Sequence, residues 1–223
     1  MNILGWRGSG DTSTEPVTDL HPLPTQDMVQ RPNFAGAPYF ADQLWRMAES
    51  GRIYVASDAD QDDVVTGQTS FANTTPTFLL RVPAGVTVVP LFLNLMQTGT
   101  IAGGAVGIDV YIEMDASDRY SSGGTPELVV FNANRTNRPL AKSTVFSGAT
   151  AKAGYGVRLW GGKIVADVDG VTGQTSAAPF WKPEAPYWLE GPASLLIYTW
   201  AVTTGPTWFW SLGFMEFATG TGR

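Results

Sequence analysis

From residue 52 onward, apolar positions recur at every second residue or in short unbroken runs, the signatures of half-buried and fully buried β-strands. In IDVYIEMD (108–115) the alternation is clean, with Ile108, Val110, Ile112 and Met114 on one face and Asp109, Tyr111, Glu113 and Asp115 on the other. RIYVAS (52–57), TFLLRV (77–82), VTVVPLFLNLM (86–96), ELVVFN (127–132), YGVRLW (155–160), KIVADV (163–168), SLLIYTWAV (194–202) and TWFWSLGFMEF (207–217) read as further strands. Glycine- and proline-rich stretches separate them, among them Pro-Ala-Gly at 83–85, SSGGTP at 121–126 and Thr-Gly-Pro at 204–206. Short strands at this spacing predict an all-β fold, an antiparallel β-sandwich of jelly-roll-like type. Gly161-Gly162 predicts a two-residue hairpin between YGVRLW and KIVADV. Pro90 cannot donate to a ladder, so a bulge or a switch between sheets is expected there.

The pattern changes upstream. Residues 1–38 carry five prolines (Pro16, Pro22, Pro24, Pro32, Pro38) and four glycines with no sustained period, which predicts an extended N-terminal arm. Its apolar residues Trp6, Leu20, Leu23, Met28 and Phe34 give it something to bury, which favours docking on a neighbour. One short helix is expected within 39–51, where Phe40, Leu44, Trp45 and Ala48 fall at helical spacing and Gly51 offers a C-terminal cap. The sandwich then spans 52–223. VTGQTS occurs twice, at 65–70 and 171–176, and reads as a pair of related strand-turn-strand segments, since two copies do not make a solenoid.

Charge narrows the function classes. Charged residues make up 15% of the 223, with 14 cationic and 20 acidic side chains for a net charge of −6. Nucleic acid is not an expected partner, because binding it takes clustered cations. No run of about 18 uncharged apolar residues occurs, so no membrane helix is expected. The absence of cysteine removes disulfides and thiolate metal sites. So few charges on so much Thr- and Gly-rich β surface imply that other chains cover part of it.

Candidate chemistry is sparse. SDADQDDVVTGQTS (57–70) places Asp58, Asp60 and Asp62 at alternate positions and adds Asp63. Counted from Asp58 as a calcium loop, position 6 is Asp63 where glycine is needed and position 12 is Thr69 where glutamate is needed. A looser calcium site built from Asp58, Asp60, Asp62 and Asp63 competes with a solvated strand connection, which is the preferred reading. His21 is the single histidine and stands in the arm, which argues against a histidine-based triad or metal site. Asp109, Glu113 and Asp115 could supply the paired carboxylates of a glycoside hydrolase, but alternation alone makes that face the solvent side of the strand. Trp160, Trp181, Trp188, Trp200, Trp208 and Trp210 invite a sugar-platform reading, yet Leu212 and Phe214 continue the face of Trp208 and Trp210, as a core or subunit-interface stripe does. No phosphate loop is present. No catalytic residue and no cofactor is assigned.

The proline-rich arm, VPAGVTVVPLFLNL and TTGPTWFWSLGFMEF together resemble the jelly-roll structural proteins of virions, of the tailed-bacteriophage head decoration, cement or minor capsid type. The resemblance implies a homo-oligomer, often a trimer, on the capsid surface, whose partners are itself and the major capsid or other virion proteins. The interface candidates are then Trp6, Leu20, Leu23, Met28, Phe34, Trp208 and Trp210. Carbohydrate binding, as in a lectin or adhesin, is the alternative function. For the aspartate stretch, calorimetric titration with calcium is expected to show no binding heat and EDTA no change in melting temperature; a saturable heat would establish the metal site.

Overall fold

The computed structural model describes residues 43–58, 63–98, 106–126, 130–136, 139–166, 178–202 and 205–220. The arm with Trp6, Leu20, Leu23, Met28 and Phe34, the histidine His21, Asp60, Asp62 and the second VTGQTS copy lie outside these residues. The chain divides into two compact units, Met1–Arg46 and Met47–Arg223. Helix α1 (Gln43–Glu49) occurs where a helix was expected. Gly51, at φ 71°, ends it by donating to the Ala48 carbonyl (2.9 Å) while Arg52 donates to Met47 (2.8 Å), a double closure that needs the left-handed conformation glycine adopts without penalty.

Fifteen strands follow among the described residues: β1 (Ile53–Ser57), β2 (Val65–Thr66), β3 (Phe78–Val82), β4 (Val86–Thr98), β5 (Val106–Asp115), β6 (Tyr120–Ser122), β7 (Thr125–Pro126), β8 (Val130–Asn132), β9 (Thr144–Ser147), β10 (Thr150–Ala151), β11 (Val157–Ala166), β12 (Phe180–Trp181), β13 (Leu189–Glu190), β14 (Ala193–Ala201) and β15 (Thr207–Ala218). The first sheet runs β12-β4-β15-β1-β8, with β13 also on β4 and β2 also on β15; the second runs β11-β5-β14-β3-β9-β7. A ribbon of β10 and β6 accompanies them. All strand pairs among the described residues are antiparallel, and the successive strands β3 and β4, β4 and β5, and β14 and β15 belong to different sheets of the sandwich. Between the sheets, Tyr54, Leu93, Leu95, Trp208, Trp210, Leu212 and Phe214 pack on Phe78, Leu80, Ile108, Ile112, Leu195 and Ile197 in one core.

Two expectations meet different outcomes. Pro90 does sit at a bulge, since the β15 register steps from Phe92 opposite Gly213 to Pro90 opposite Phe214, but β4 stays in the first sheet along its whole length. On its other side β13 pairs with Thr87 and Val88 and β12 with Leu93 and Asn94, so Pro90 occupies the gap where no donor is required. The hairpin expected at Gly161-Gly162 does not form. β11 runs straight through both glycines, with Gly161 opposite Tyr111 and Gly162 opposite Val110. Neither glycine has a positive φ, and the Trp160 ring lies over Gly162, where a Cβ would meet it at 2.9 Å. Here glycine makes room for an aromatic ring instead of a turn.

The first VTGQTS copy clasps one end of the sandwich. Val65 and Thr66 pair with Trp208 and Thr207 of the first sheet, while Gln68 bridges to Trp200 of the second through Gln68 N to Thr199 O (2.8 Å) and Ala201 N to Gln68 O (3.1 Å). Beneath it, the Trp208 indole donates to Thr199 Oγ1 (3.0 Å), which lies 2.9 Å from Thr77 Oγ1. Between these contacts Gly67 passes so close to the Thr199 backbone that a Cβ has no room. Gly67→Ala is therefore expected to lower stability by about 3 kcal/mol in denaturant melts, whereas Gly85→Asn, at a φ of 79° with open space around it, meets only the left-handed backbone cost and is expected to lose about 1 kcal/mol.

Candidate functional site

The surface that stands out is the outer face of the first sheet. Opposed residues of an antiparallel pair point to the same side, so the register defines this face. One row runs Phe131, Val55, Gly213, Phe92, and a second runs Ser57, Ser211, Asn94, Phe180. Phe209 beside Met96 and Ile53 beside Met215 extend it at either end. Phe92 lies across Gly213 and stacks on Phe180 at 6.3 Å. Phe180 is 59% exposed, Met96 48% and Phe131 43%, so water covers large apolar side chains. None of these twelve side chains is charged. Arg135 borders the face, its guanidinium 5.6 Å from the Phe131 ring centroid. Beyond the β4 bulge, Val89 and Phe217 are buried, with Trp188 packed edge-on against Phe217. With strands about 4.8 Å apart and about 3.3 Å per residue, the open part measures roughly 20 Å by 20 Å, comparable with the largest apolar patch of a typical monomer, which is often functional.

The second sheet contrasts with it, and here the expectation of a solvent-facing side on β5 is corrected. Glu113 is 1% exposed. That face carries a second core of Leu79, Phe146, Ala149, Ala151, Leu196 and Tyr198, with Tyr120 stacked on Phe146 at 4.5 Å. Phe71, from the segment after the clasp, packs on Tyr111, Tyr198 and Trp200 at 5.1–5.8 Å. Arg119 pins these parts together. Its Nη1 reaches Asp115 (2.9 Å) and Glu113 (3.4 Å), its Nε donates to the Lys152 carbonyl (2.7 Å) and its Nη2 to the Asn73 carbonyl (3.1 Å). Tyr198 donates to the Asn73 carbonyl (2.9 Å) and lies 3.3 Å from Glu113 Oε1. Burial first, then the Glu113 charge, pushes the Tyr198 hydroxyl well above its ordinary value. Burial alone would raise Asp115 as well, but the hydrogen bonds from Arg119 and Ser117 and the Arg119 charge outweigh it and hold the carboxyl below its ordinary value. Asp109 pairs with Lys163 at 3.6 Å. The three carboxylates considered for hydrolysis are thus each held by a cation, in a lock and not across a cleft.

Of the aspartate stretch, Asp58 and Asp63 fall among the described residues. Burial raises the Asp58 carboxyl above its ordinary value and Asp63 adds to this, while the Trp210 indole N–H, buried without a hydrogen bond of good geometry, pulls the other way. No group of three or more His, Cys, Asp or Glu side chains suited to a metal occurs among the described residues. Trp208 is 0% and Trp210 5% exposed, so both line the core, and β15 meets its surroundings through the alternate set Phe209, Ser211, Gly213 and Met215. That set had a visible signal: TWFWSLGFMEF is uncharged on both faces up to Glu216.

The fold and this face define a β-sandwich protein whose first sheet carries two uncharged, largely apolar rows on its outer side, with Glu190 of β13 beyond them. No protein-family model matches the chain, and neither a curated protein nor a solved structure shows significant similarity to it. Removing Arg119 would leave Glu113 charged and buried, so Arg119→Met is expected to cost about 3–5 kcal/mol, and adding Glu113→Gln to it should recover part of the loss in a double-mutant cycle of urea melts.

Proposed function

We propose that the chain is a structural assembly protein without catalytic residues. It self-associates and binds neighbouring coat subunits through the outer face of the first sheet, as capsid decoration or cement proteins of virions do. One observation carries this reading: two exposed, largely apolar rows of the first sheet that carry no charge, on a chain whose net charge is −6. Repulsion between copies is weakest where charge is missing, and apolar area removed from water there gives about 25 cal/mol per Å². The composition of the arm supports the same reading, since Trp6, Leu20, Leu23, Met28 and Phe34 are a set of anchors spaced along a proline-stiffened chain. Arg7 and Arg31 against Asp11, Glu15, Asp19 and Asp27 make residues 1–38 acidic, which suits a place on the outer capsid surface better than one against packed genome.

A sugar-binding sandwich would present at least two tryptophans on one exposed face. Within Met47–Arg223, Trp181, Trp208 and Trp210 are buried, Trp160 and Trp200 are half-buried, and Trp188 alone is exposed, at 45%. The assembly reading is therefore preferred.

The full chain is expected to sediment as a homo-oligomer. The double variant Met96→Lys/Phe180→Lys should keep its melting temperature, because both side chains project from the sandwich, and should lose assembly. Deletion of residues 1–38 should leave a folded sandwich that no longer assembles. A monomeric full-length chain at tens of micromolar would overturn the reading.

A further inference from the structure

The outer face of the first sheet needs a cover that a second such face does not supply. At roughly 20 Å by 20 Å it offers about 400 Å² per copy, half of the roughly 800 Å² that each partner of a stable interface buries. Its relief is uneven as well. One row carries the rings of Phe131 and of Phe92, which lies across Gly213, and another carries Phe209 and Met96. Between them Ser57, Ser211 and Asn94 form a lower row that ends at Phe180. A shallow trough crossing the strands suits one extended chain better than a second sheet.

The chain holds such a segment. Residues 1–42 precede α1, and within them LHPLPTQDM (20–28) carries the apolar residues Leu20, Leu23 and Met28 with Pro22, Pro24 and a single acid, Asp27. Proline favours an extended chain of about 3.1 Å per residue, so Leu20 to Met28 covers roughly 25 Å. From Phe180 on β12 to Phe131 on β8 there are four strand spacings, roughly 19 Å. Leu23, about 9 Å from Leu20, then falls two spacings from β12, over Ser211 on β15. Charge fits too. Residues 1–38 hold two cations and four acids, and the rows they would cover hold no charge. At the borders, Arg135 stands over Phe131 while Glu190 lies on β13, which draws the Asp27 end toward Phe131.

We infer that residues 20–28 of one copy lie across the outer face of the first sheet in the next copy, Leu20 against Phe180, Leu23 over Ser211 and Met28 against Phe131. The placement rests on the assembly reading and names the occupant of its surface. Each copy then gives one segment and receives one, so the area buried per copy doubles to about 800 Å². Because the segment and the face are different surfaces, the contact joins copies head to tail.

The full-length chain has no native cysteine, which permits a direct test. The placement sets His21 near Asn94, one strand spacing from Phe180. With a short bismaleimide, His21→Cys/Asn94→Cys should link between copies, giving products of two chains and more, at least tenfold faster than His21→Cys/Ser121→Cys, whose second site is exposed on β6. Rates equal to that control overturn the inference. So does Asn94→Cys linking as fast by itself, since face then meets face, and so does a double variant that links only within one chain. Each of these outcomes leaves the assembly reading standing, which a monomeric full-length chain would sink. Leu20→Ser/Leu23→Ser/Met28→Ser changes no residue of the sandwich, so it should keep the melting temperature and sediment at the reduced mass of Met96→Lys/Phe180→Lys. An oligomer of unchanged mass in the triple-serine chain also overturns the inference.

Discussion

The packing of β15 between its neighbours governs what the rest of the molecule can do. This twelve-residue strand lies in the middle of the first sheet, bonded along its length to β4 on one side and to β1 and β2 on the other. Its inward residues Trp208, Trp210, Leu212 and Phe214 supply much of the core, with Trp210 and Phe78 rings 4.5 Å apart across the two sheets. Strand geometry sends every second residue the other way, so a strand so strongly committed to the core must also present Phe209, Ser211, Gly213 and Met215 outward. The inner packing and the outer surface are two consequences of one alternation.

The two sheets handle their outer faces in opposite ways. The second sheet is covered by the chain's own segments, and covering it required a solution for charge: Glu113 and Asp115 are neutralised by Arg119, whose remaining donors end on the Lys152 and Asn73 carbonyls. A buried ion pair of this kind adds little net stability, but it fixes which loop lies where, because leaving any member unpaired is costly. Among the described residues no segment covers the central rows of the first sheet, and those rows carry no charge. Glu216, the acidic residue of β15, points inward and accepts from Lys142 N and Ser143 N at 2.8 Å, tying down the approach to β9. Charge is spent inside on positioning loops, which leaves the outer sheet surface apolar.

Much of this was legible in the residues. Alternation located β1, β3, β4, β5, β14 and β15 to within two or three residues, and Pro90 announced its bulge. The errors have a common cause, since periodicity reports on one face of one strand and not on what lies against it. IDVYIEMD alternates perfectly, yet Glu113 on its polar face is buried and Asp115 half-buried, because Arg119, six and four residues further along, returns to satisfy both carboxylates. Gly161-Gly162 looks like a turn until the Trp160 ring is seen to need the space. The two-residue strands β2, β7, β10, β12 and β13 carry no period at all, since a two-residue segment has none. The outer face was readable in part: Phe209, Met215, Val55 and Phe92 are apolar at positions where a solvated strand would carry charge. What a single strand could not show is that the register brings them into shared rows.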